Sequence, residues 1–403
     1  LFFFLFCCSS VFYTYLDHFE PRPFNILDEF TNGFGFRTVF NGKAGKGSYS
    51  FGSELYKDEY NWGTFQNLFE QNNGNGSIAG GRISRNKEFR SQLFLFGTFT
   101  YPIAKRLQAQ FGLNYNDTDY DFRDLFNTGD SDTSAERDFD PILLPSFGLQ
   151  YSLNKGQLYA NISRGFTNPS LEESLTPDGL INPDIAQETG VSYEIGGTFN
   201  FFKNQLQMTT ALYRMRIQNL LVADRVGEDQ FIGRNAGETR HQGLELGLNY
   251  GLPLSSKLVL NPIVSYTLND HSFVDFVDGD DDFSGNPLTG VPKHNVSSSL
   301  NLNHADGIQF SLTHQFVDEI PLNDANTLES DAFSVFQLQL KYNSNFSGNF
   351  NFGVNFGINN IFDTNYAQSV LINANGFGGN LPRFFWPGNG RNFYGGLKLR
   401  YLL

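Results

Sequence analysis

Residues 350 to 359 read Phe-Asn-Phe-Gly-Val-Asn-Phe-Gly-Ile-Asn, with an apolar side chain at every even position and Asn or Gly at every odd one. A period of two fits a β-strand, where successive side chains leave opposite faces; wound into a helix, the same residues would spread their apolar groups around the whole circumference. The pattern recurs along the chain. Leu107, Ala109, Phe111, Leu113 and Tyr115 alternate with Gln108, Gln110, Gly112 and Asn114, and Leu244, Leu246, Leu248 and Tyr250 with Glu245, Gly247 and Asn249. Val296, Leu300 and Leu302 face away from Ser297, Ser299 and Asn301, as Ile308, Phe310, Leu312 and Phe316 do from Gln309, Ser311, Thr313 and Gln315. About sixteen such segments are present, each near the roughly ten residues of a tilted membrane-crossing strand.

Alternation by itself also suits a soluble sandwich, and the connections separate the two. Short turns (102–105, 154–156, 202–204, 253–257, 304–306, 345–349) take turns with long loops (118–140, 167–186, 271–291, 317–332, 361–390). That asymmetry belongs to an outer-membrane barrel, with tight periplasmic turns and extended extracellular loops. Tyr101, Tyr151, Phe201, Phe202, Tyr250, Tyr342 and Phe350 gather beside the short turns, where an interfacial aromatic girdle would lie. The expected fold is all-β, a transmembrane antiparallel barrel, with Phe352, Val354, Phe356 and Ile358 toward lipid.

Composition removes other classes. The 44 Phe and 18 Tyr in 403 residues are too many for a disordered chain, and no apolar run approaches the roughly 20 residues of a spanning helix. Leu1 to Cys8 is the longest such run; lacking a starting Met and a basic flank, it reads as the edge of a longer protein rather than a signal peptide. Adjacent Cys7 and Cys8 offer no disulfide framework. A formal charge of -14 speaks against nucleic acid, which needs clustered cations.

Asn161-Ile-Ser-Arg-Gly-Phe166 followed by Asn168-Pro-Ser-Leu-Glu-Glu173, and Gln187-Glu-Thr with Tyr193-Glu-Ile-Gly196, stand in succession along the chain. They resemble a strand with its loop entry, and the next strand, in the barrel of TonB-dependent outer-membrane receptors of the siderophore-receptor type. Asn235-Ala-Gly and His241-Gln-Gly-Leu-Glu-Leu246 resemble its Asn-x-Gly and Gly-x-Glu pair, and Asn359-Asn-Ile-Phe-Asp-Thr-Asn-Tyr366 its penultimate-strand signature. The last strand, Phe393 to Leu403, looks like the C-terminal assembly signal of outer-membrane barrels, departing from it in ending on Leu, and its alternation puts Lys398 and Arg400 on the lumen face. The resemblance implies a barrel of about twenty-two strands around a plug. Residues 1–403 are then expected to be an N-terminally truncated barrel domain with about sixteen of those strands and the plug absent. The rival expectation is a complete passive porin of about sixteen strands.

A receptor of this kind imports a scarce metal complex, is energised by the TonB–ExbB–ExbD complex, sits as a multi-pass monomer in Gram-negative outer-membrane lipid, and needs no cofactor. The ending Pro387-Gly-Asn-Gly-Arg-Asn-Phe-Tyr-Gly-Gly396 resembles iron-complex receptors, so a ferric siderophore is the expected cargo, ahead of haem, cobalamin or oligosaccharide. Arg383, Phe384, Phe385 and Trp386 offer rings and a guanidinium to an anionic, aromatic cargo, or else form an upper aromatic girdle. Gly376, Gly378 and Gly379 would let that loop fold back. Arg164, Arg214, Arg216 and Arg234 are candidates for the lumen wall near cargo, or structural. Asp278, Asp280 and Asp282 imitate a calcium loop, but Phe283 and Thr289 stand where it needs Gly and Glu, so a solvated acidic tip is expected. The six His form no triad with a nucleophile, and no enzyme is expected.

Overall fold

The alternating segments form strands in the computed structural model, which describes residues 5–22, 25–169, 185–225, 231–235, 237–278, 281–346, 350–374, 376, 379 and 381–401. Sixteen long strands lie among them: β1 (Leu5–Pro21), β2 (Asn25–Ala44), β3 (Gly47–Asn67), β4 (Ala79–Ala104), β5 (Leu107–Asp124), β6 (Ile142–Leu153), β7 (Gly156–Thr167), β8 (Glu188–Phe201), β9 (Leu206–Gln218), β10 (Glu238–Tyr250), β11 (Leu258–Asp275), β12 (His294–His304), β13 (Ile308–Val317), β14 (Phe333–Phe346), β15 (Phe350–Asn359) and β16 (Asn392–Tyr401). They belong to one sheet, which also takes in the short strands Ala135–Asp138 and Leu252–Pro253. Connections 45–46, 105–106, 154–155, 202–205, 251–257, 305–307 and 347–349 are short, whereas 68–78, 125–141, 168–187, 219–237, 276–293, 318–332 and 360–391 are long. From residue 45 onward the alternation of tight turns and long loops is the one read from the sequence, whereas β1 and β2 are joined by residues 22–24 alone.

Two expected loop starts are corrected. β5 continues past Thr118 to Asp124, and β11 past His271 to Asp275. Ladder hydrogen bonds are made by the backbone and are indifferent to side-chain polarity, so Asp119 and Asp121 still pair with Asp138 and Glu136 of the short strand. On β5 the row Phe111, Leu113, Tyr115 continues as Asp117, Asp119, Asp121, which marks where the strand leaves lipid.

By contact density the chain divides into two units, residues 1–149, 163–189 and 221–235 in the first and 150–162, 190–220 and 236–403 in the second. In the first, β1 to β5 pair in sequence order. One face carries Phe34, Phe51, Leu55, Leu95, Phe111 and Leu113, all exposed. In the second, β9 to β16 pair in sequence order. Leu312 lies between Leu300 and Leu338, and Val354 between Tyr342 and Leu397. Val354 is 40% and Phe356 43% exposed, and no second sheet among the described residues covers them. Apolar side chains left open in this way suit lipid as their solvent.

The opposite face of the second unit is a hydrogen-bonded polar lining. The Ser311 hydroxyl donates to Asn301 Oδ1 (2.6 Å), Asn301 Nδ2 to the Ser299 hydroxyl (3.0 Å), and Gln339 Nε2 to the Tyr394 hydroxyl (2.8 Å). Lys398 and Arg400 stand on this face opposite Gly353 and Asn351, away from lipid as expected. Within each unit, rings pair beside the short turns: Phe40 with Phe51 (5.2 Å between centroids) and Phe99 with Tyr101 (6.2 Å) in the first, Phe199 with Phe201 (6.4 Å), Phe202 with Tyr250 (6.3 Å) and Phe350 with Tyr401 (4.7 Å) in the second.

Candidate functional site

The Asn359 to Tyr366 signature is a loop anchor. Asn360, 2% exposed, takes φ +49° and spans the loop base, its Nδ2 donating to Thr364 O (2.8 Å) and Asn389 O (3.0 Å) while its Oδ1 accepts from Thr364 N (2.8 Å). Asp363 Oδ1 accepts from Arg391 N at 2.7 Å, and Tyr366 packs on Phe333 at 5.0 Å. A short, amide-bearing side chain tolerates this left-handed backbone and can satisfy three partners at once.

Above the anchor the chain forms a hairpin, Ala367–Val370 against Phe385–Pro387, closed by Leu371 N donating to Phe384 O (2.7 Å) and Gly388 N to Tyr366 O (2.8 Å). This places the expected binding residues. Phe385 and Trp386 are 52% and 56% exposed, Arg383 is exposed and Phe384 half-buried. Gly379 has φ +81°, whereas Gly378 lies outside the described residues. The same loop is fastened beyond the hairpin, because Asn373 N donates to Leu322 O (2.8 Å) and the Thr289 hydroxyl, from the loop after β11, donates to Asp324 Oδ1 (2.5 Å). Asn286 Nδ2 also donates to Asp324 O (2.9 Å). Leu322 beneath is fully buried. Loops held this firmly present the hairpin with part of its ordering entropy already spent.

The arginine expectations change. Counting by twos along β9, Arg214 and Arg216 follow Met208, Thr210 and exposed Leu212 on the apolar row, and Arg216 forms a two-pronged pair with Glu238 there. Arg164 likewise follows Leu158 and Ile162 along β7. These guanidinium groups stand toward the long-loop ends of the apolar rows rather than in the polar rows; a cation facing mid-bilayer would cost about 2–4 kcal/mol, and those ends are the part of such a row farthest from the short turns. Arg234 is half-buried on a loop hairpin, Leu221–Arg225 against Phe231–Asn235, opposite Val222. Asn235 beside it clamps Ala186 with two hydrogen bonds, 2.8 and 3.0 Å, and Glu188 Oε2 accepts from Leu221 N at 3.1 Å. The segment 170–184, with Ser170 to Glu173 of the loop entry, lies outside the described residues, as do Asp280 of the acidic tip and Leu403. Phe283, at the position a calcium loop gives to Gly, packs on buried Phe276 at 5.8 Å. Among the described residues no three His, Cys, Asp or Glu side chains converge as a metal site.

Sequence reasoning missed two polar-face clusters. In the first unit Tyr56, Asp58, Tyr60 and Trp62 line one row of β3. Phe12 stacks on Tyr56 (6.0 Å), Arg90 lies over Tyr56 (5.7 Å) and pairs with buried Asp58, and Tyr60 stacks on Trp62 (4.7 Å), which meets Phe122 (5.7 Å). The signal was available, since rings and an acid at every second residue are unusual on a row that should be merely polar. In the second unit His241 and His271 face each other in register on β10 and β11, their ring centroids 4.7 Å apart. At the loop end of β5, burial raises the Asp124 carboxyl, but Asn127 and Phe126 N–H groups, the Asn127 amide and the Thr133 hydroxyl outweigh it and bring it down to about 2.

A family model described as TonB dependent receptor-like, beta-barrel matches residues 9–361. Among solved structures, the siderophore receptor PiuA from Acinetobacter baumannii is 16% identical with a TM-score of 0.67, over 94% of this chain and 56% of that one. The ferric citrate transporter FecA in its unliganded form is 15% identical with a TM-score of 0.76, over 99% and 59%. The copper transporter OprC is 19% identical with a TM-score of 0.73, over 96% and 63%. The chain thus spans less than two thirds of each, and at these identities the likeness speaks for the fold.

Proposed function

The chain belongs to the TonB-dependent receptor-like β-barrel family of the Gram-negative outer membrane, and from that premise we propose that it takes up a scarce metal complex, a ferric siderophore first. The observation that carries this reading is the fastened loop cluster of the second unit, which presents Arg383, Phe385 and Trp386 exposed on a hairpin. Flat rings and a guanidinium stack on and pair with an anionic aromatic chelate. Phe384 supports the hairpin from its half-buried side; Arg164 drops out of the lumen set because of its row. Energy comes from the TonB–ExbB–ExbD complex, acting through a plug domain that complete receptors of this architecture carry, and the barrel works as a monomer without bond chemistry of its own.

The neighbour that transports copper supports a second reading, in which the cargo is a copper species. Uptake assays on the intact receptor in a receptor-deficient strain separate the cases. Accumulation of radiolabelled iron from a panel of ferric siderophores, lost when TonB is deleted, is the expected result. Copper accumulation without iron uptake would move the cargo to the second reading, and transport that ignores TonB would return the chain to the passive-pore class.

A further inference from the structure

The His241 and His271 pair is joined to its surroundings by a hydrogen-bond chain that fixes which nitrogen of His271 is free. Tyr213 on β9 lies across Gly243, where a Cβ would meet its hydroxyl at 2.6 Å, and so reaches the polar face of β11. The Tyr213 hydroxyl donates to Asn269 Oδ1 (3.0 Å), and the Asn269 amide is oriented by its Nδ2 donating to Pro292 O (2.9 Å). Tyr213 has one proton, and it is spent there. The 3.1 Å contact between the Tyr213 oxygen and His271 Nε2 therefore has the imidazole as donor. His271 Nδ1 is left as a lone pair that is buried and has no hydrogen-bond partner among the described residues. His241 has its Nε2 2.9 Å from the Thr239 hydroxyl and its Nδ1 without a described partner, so its Nδ1 is a lone pair in the tautomer whose Nε2–H donates to Thr239.

We propose that His241 and His271 form a two-imidazole site on the lumen wall for a divalent ion of the Cu2+, Ni2+ or Zn2+ class. Residues directly opposite on antiparallel strands have Cβ atoms about 5 Å apart, close enough for two imidazoles to share one ion. A buried acceptor without a donor is relieved by a cation that binds neutral imidazole. Tyr213 and Thr239 act as positioning residues, holding the far nitrogen of each ring as the outer partners of metal-bound His commonly do. With two protein ligands the remaining positions go to water. Copper should bind most tightly of the three. The site is independent of the cargo proposed above, since it concerns an ion taken by the barrel wall itself.

The test uses the full untagged chain folded in detergent micelles and titrated with copper(II) chloride. Electron paramagnetic resonance should show a single bound ion with coupling to two nitrogens, and calorimetry with zinc and nickel chlorides should give weaker isotherms. His271→Ala and His241→Ala should each remove the two-nitrogen signature, and Tyr213→Phe should weaken affinity by about 10–100-fold. Replacing His18, His294, His304 and His314 together with Ala should change nothing. Wild-type spectra without two-nitrogen coupling, or affinity unaltered in His271→Ala, would overturn the assignment; the wild-type spectrum decides alone if a variant does not assemble.

Discussion

Asp324 and Asn373 bond each other twice, the Asp324 N–H donating to Asn373 Oδ1 at 3.2 Å and Asn373 Nδ2 donating to Asp324 Oδ2 at 3.0 Å. With Thr289 on the other carboxylate oxygen, Asp324 ties together the loops after β11, β13 and β15. Asp324→Ala removes a charged acceptor shared by three loops, a change of about 2 kcal/mol locally. Hydrogen exchange should rise in residues 286–290 and 371–374 while the strands keep their protection. If exchange rises throughout the sheet, the residue stabilises the barrel rather than the loops.

Arg383→Ala with Trp386→Ala should weaken cargo binding by about tenfold or more, the loss of two exposed anchors. Surface delivery and resistance of the folded barrel to heat in detergent should stay at the parental level. Normal binding with poor assembly would instead assign these residues to an interfacial girdle.

Adjacent residues on β13 should respond in opposite ways to the same charge. Leu312→Arg puts a guanidinium among Leu300 and Leu338 on the lipid face and should cost about 2–4 kcal/mol, visible as failed assembly. Thr313→Arg puts it on the opposite face among Ser299 and Gln337 and should assemble normally. Equal tolerance at both positions is incompatible with a lipid-facing row.

Asp124 makes the loop that follows β5 acid-sensitive. Its folded carboxyl sits at about 2, below the ordinary 3.8, so the ionised form stabilises the loop. That contribution is complete above the unfolded value and is lost as the pH falls through the folded one. Proteolysis of residues 125–141 should accelerate between about pH 4 and pH 2, and Asp124→Ala should be equally susceptible at every pH in that window. A wild-type loop indifferent to pH would mean that the carboxylate contributes nothing there.

The amino-acid sequence alone determined which segments are strands, which face of each meets lipid and which connections are long, because period-two alternation and turn residues act locally and do not depend on which strands become neighbours. It also held the rows of Arg164, Arg214 and Arg216, readable by counting in twos from Leu158 and Ile162 on β7 and from Leu212 on β9, although their charge suggested the lumen. What only the tertiary structure decided is which polar-face groups meet. Alternation assigns a face but no register, and register sets cross-strand neighbours. Nothing in a single strand announces that Tyr213 crosses Gly243 to reach Asn269 and His271, or that Asp324 meets Asn373. The hydrogen-bonding groups of a lumen wall are interchangeable in sequence terms, and the paired strands and folded loops make particular ones partners.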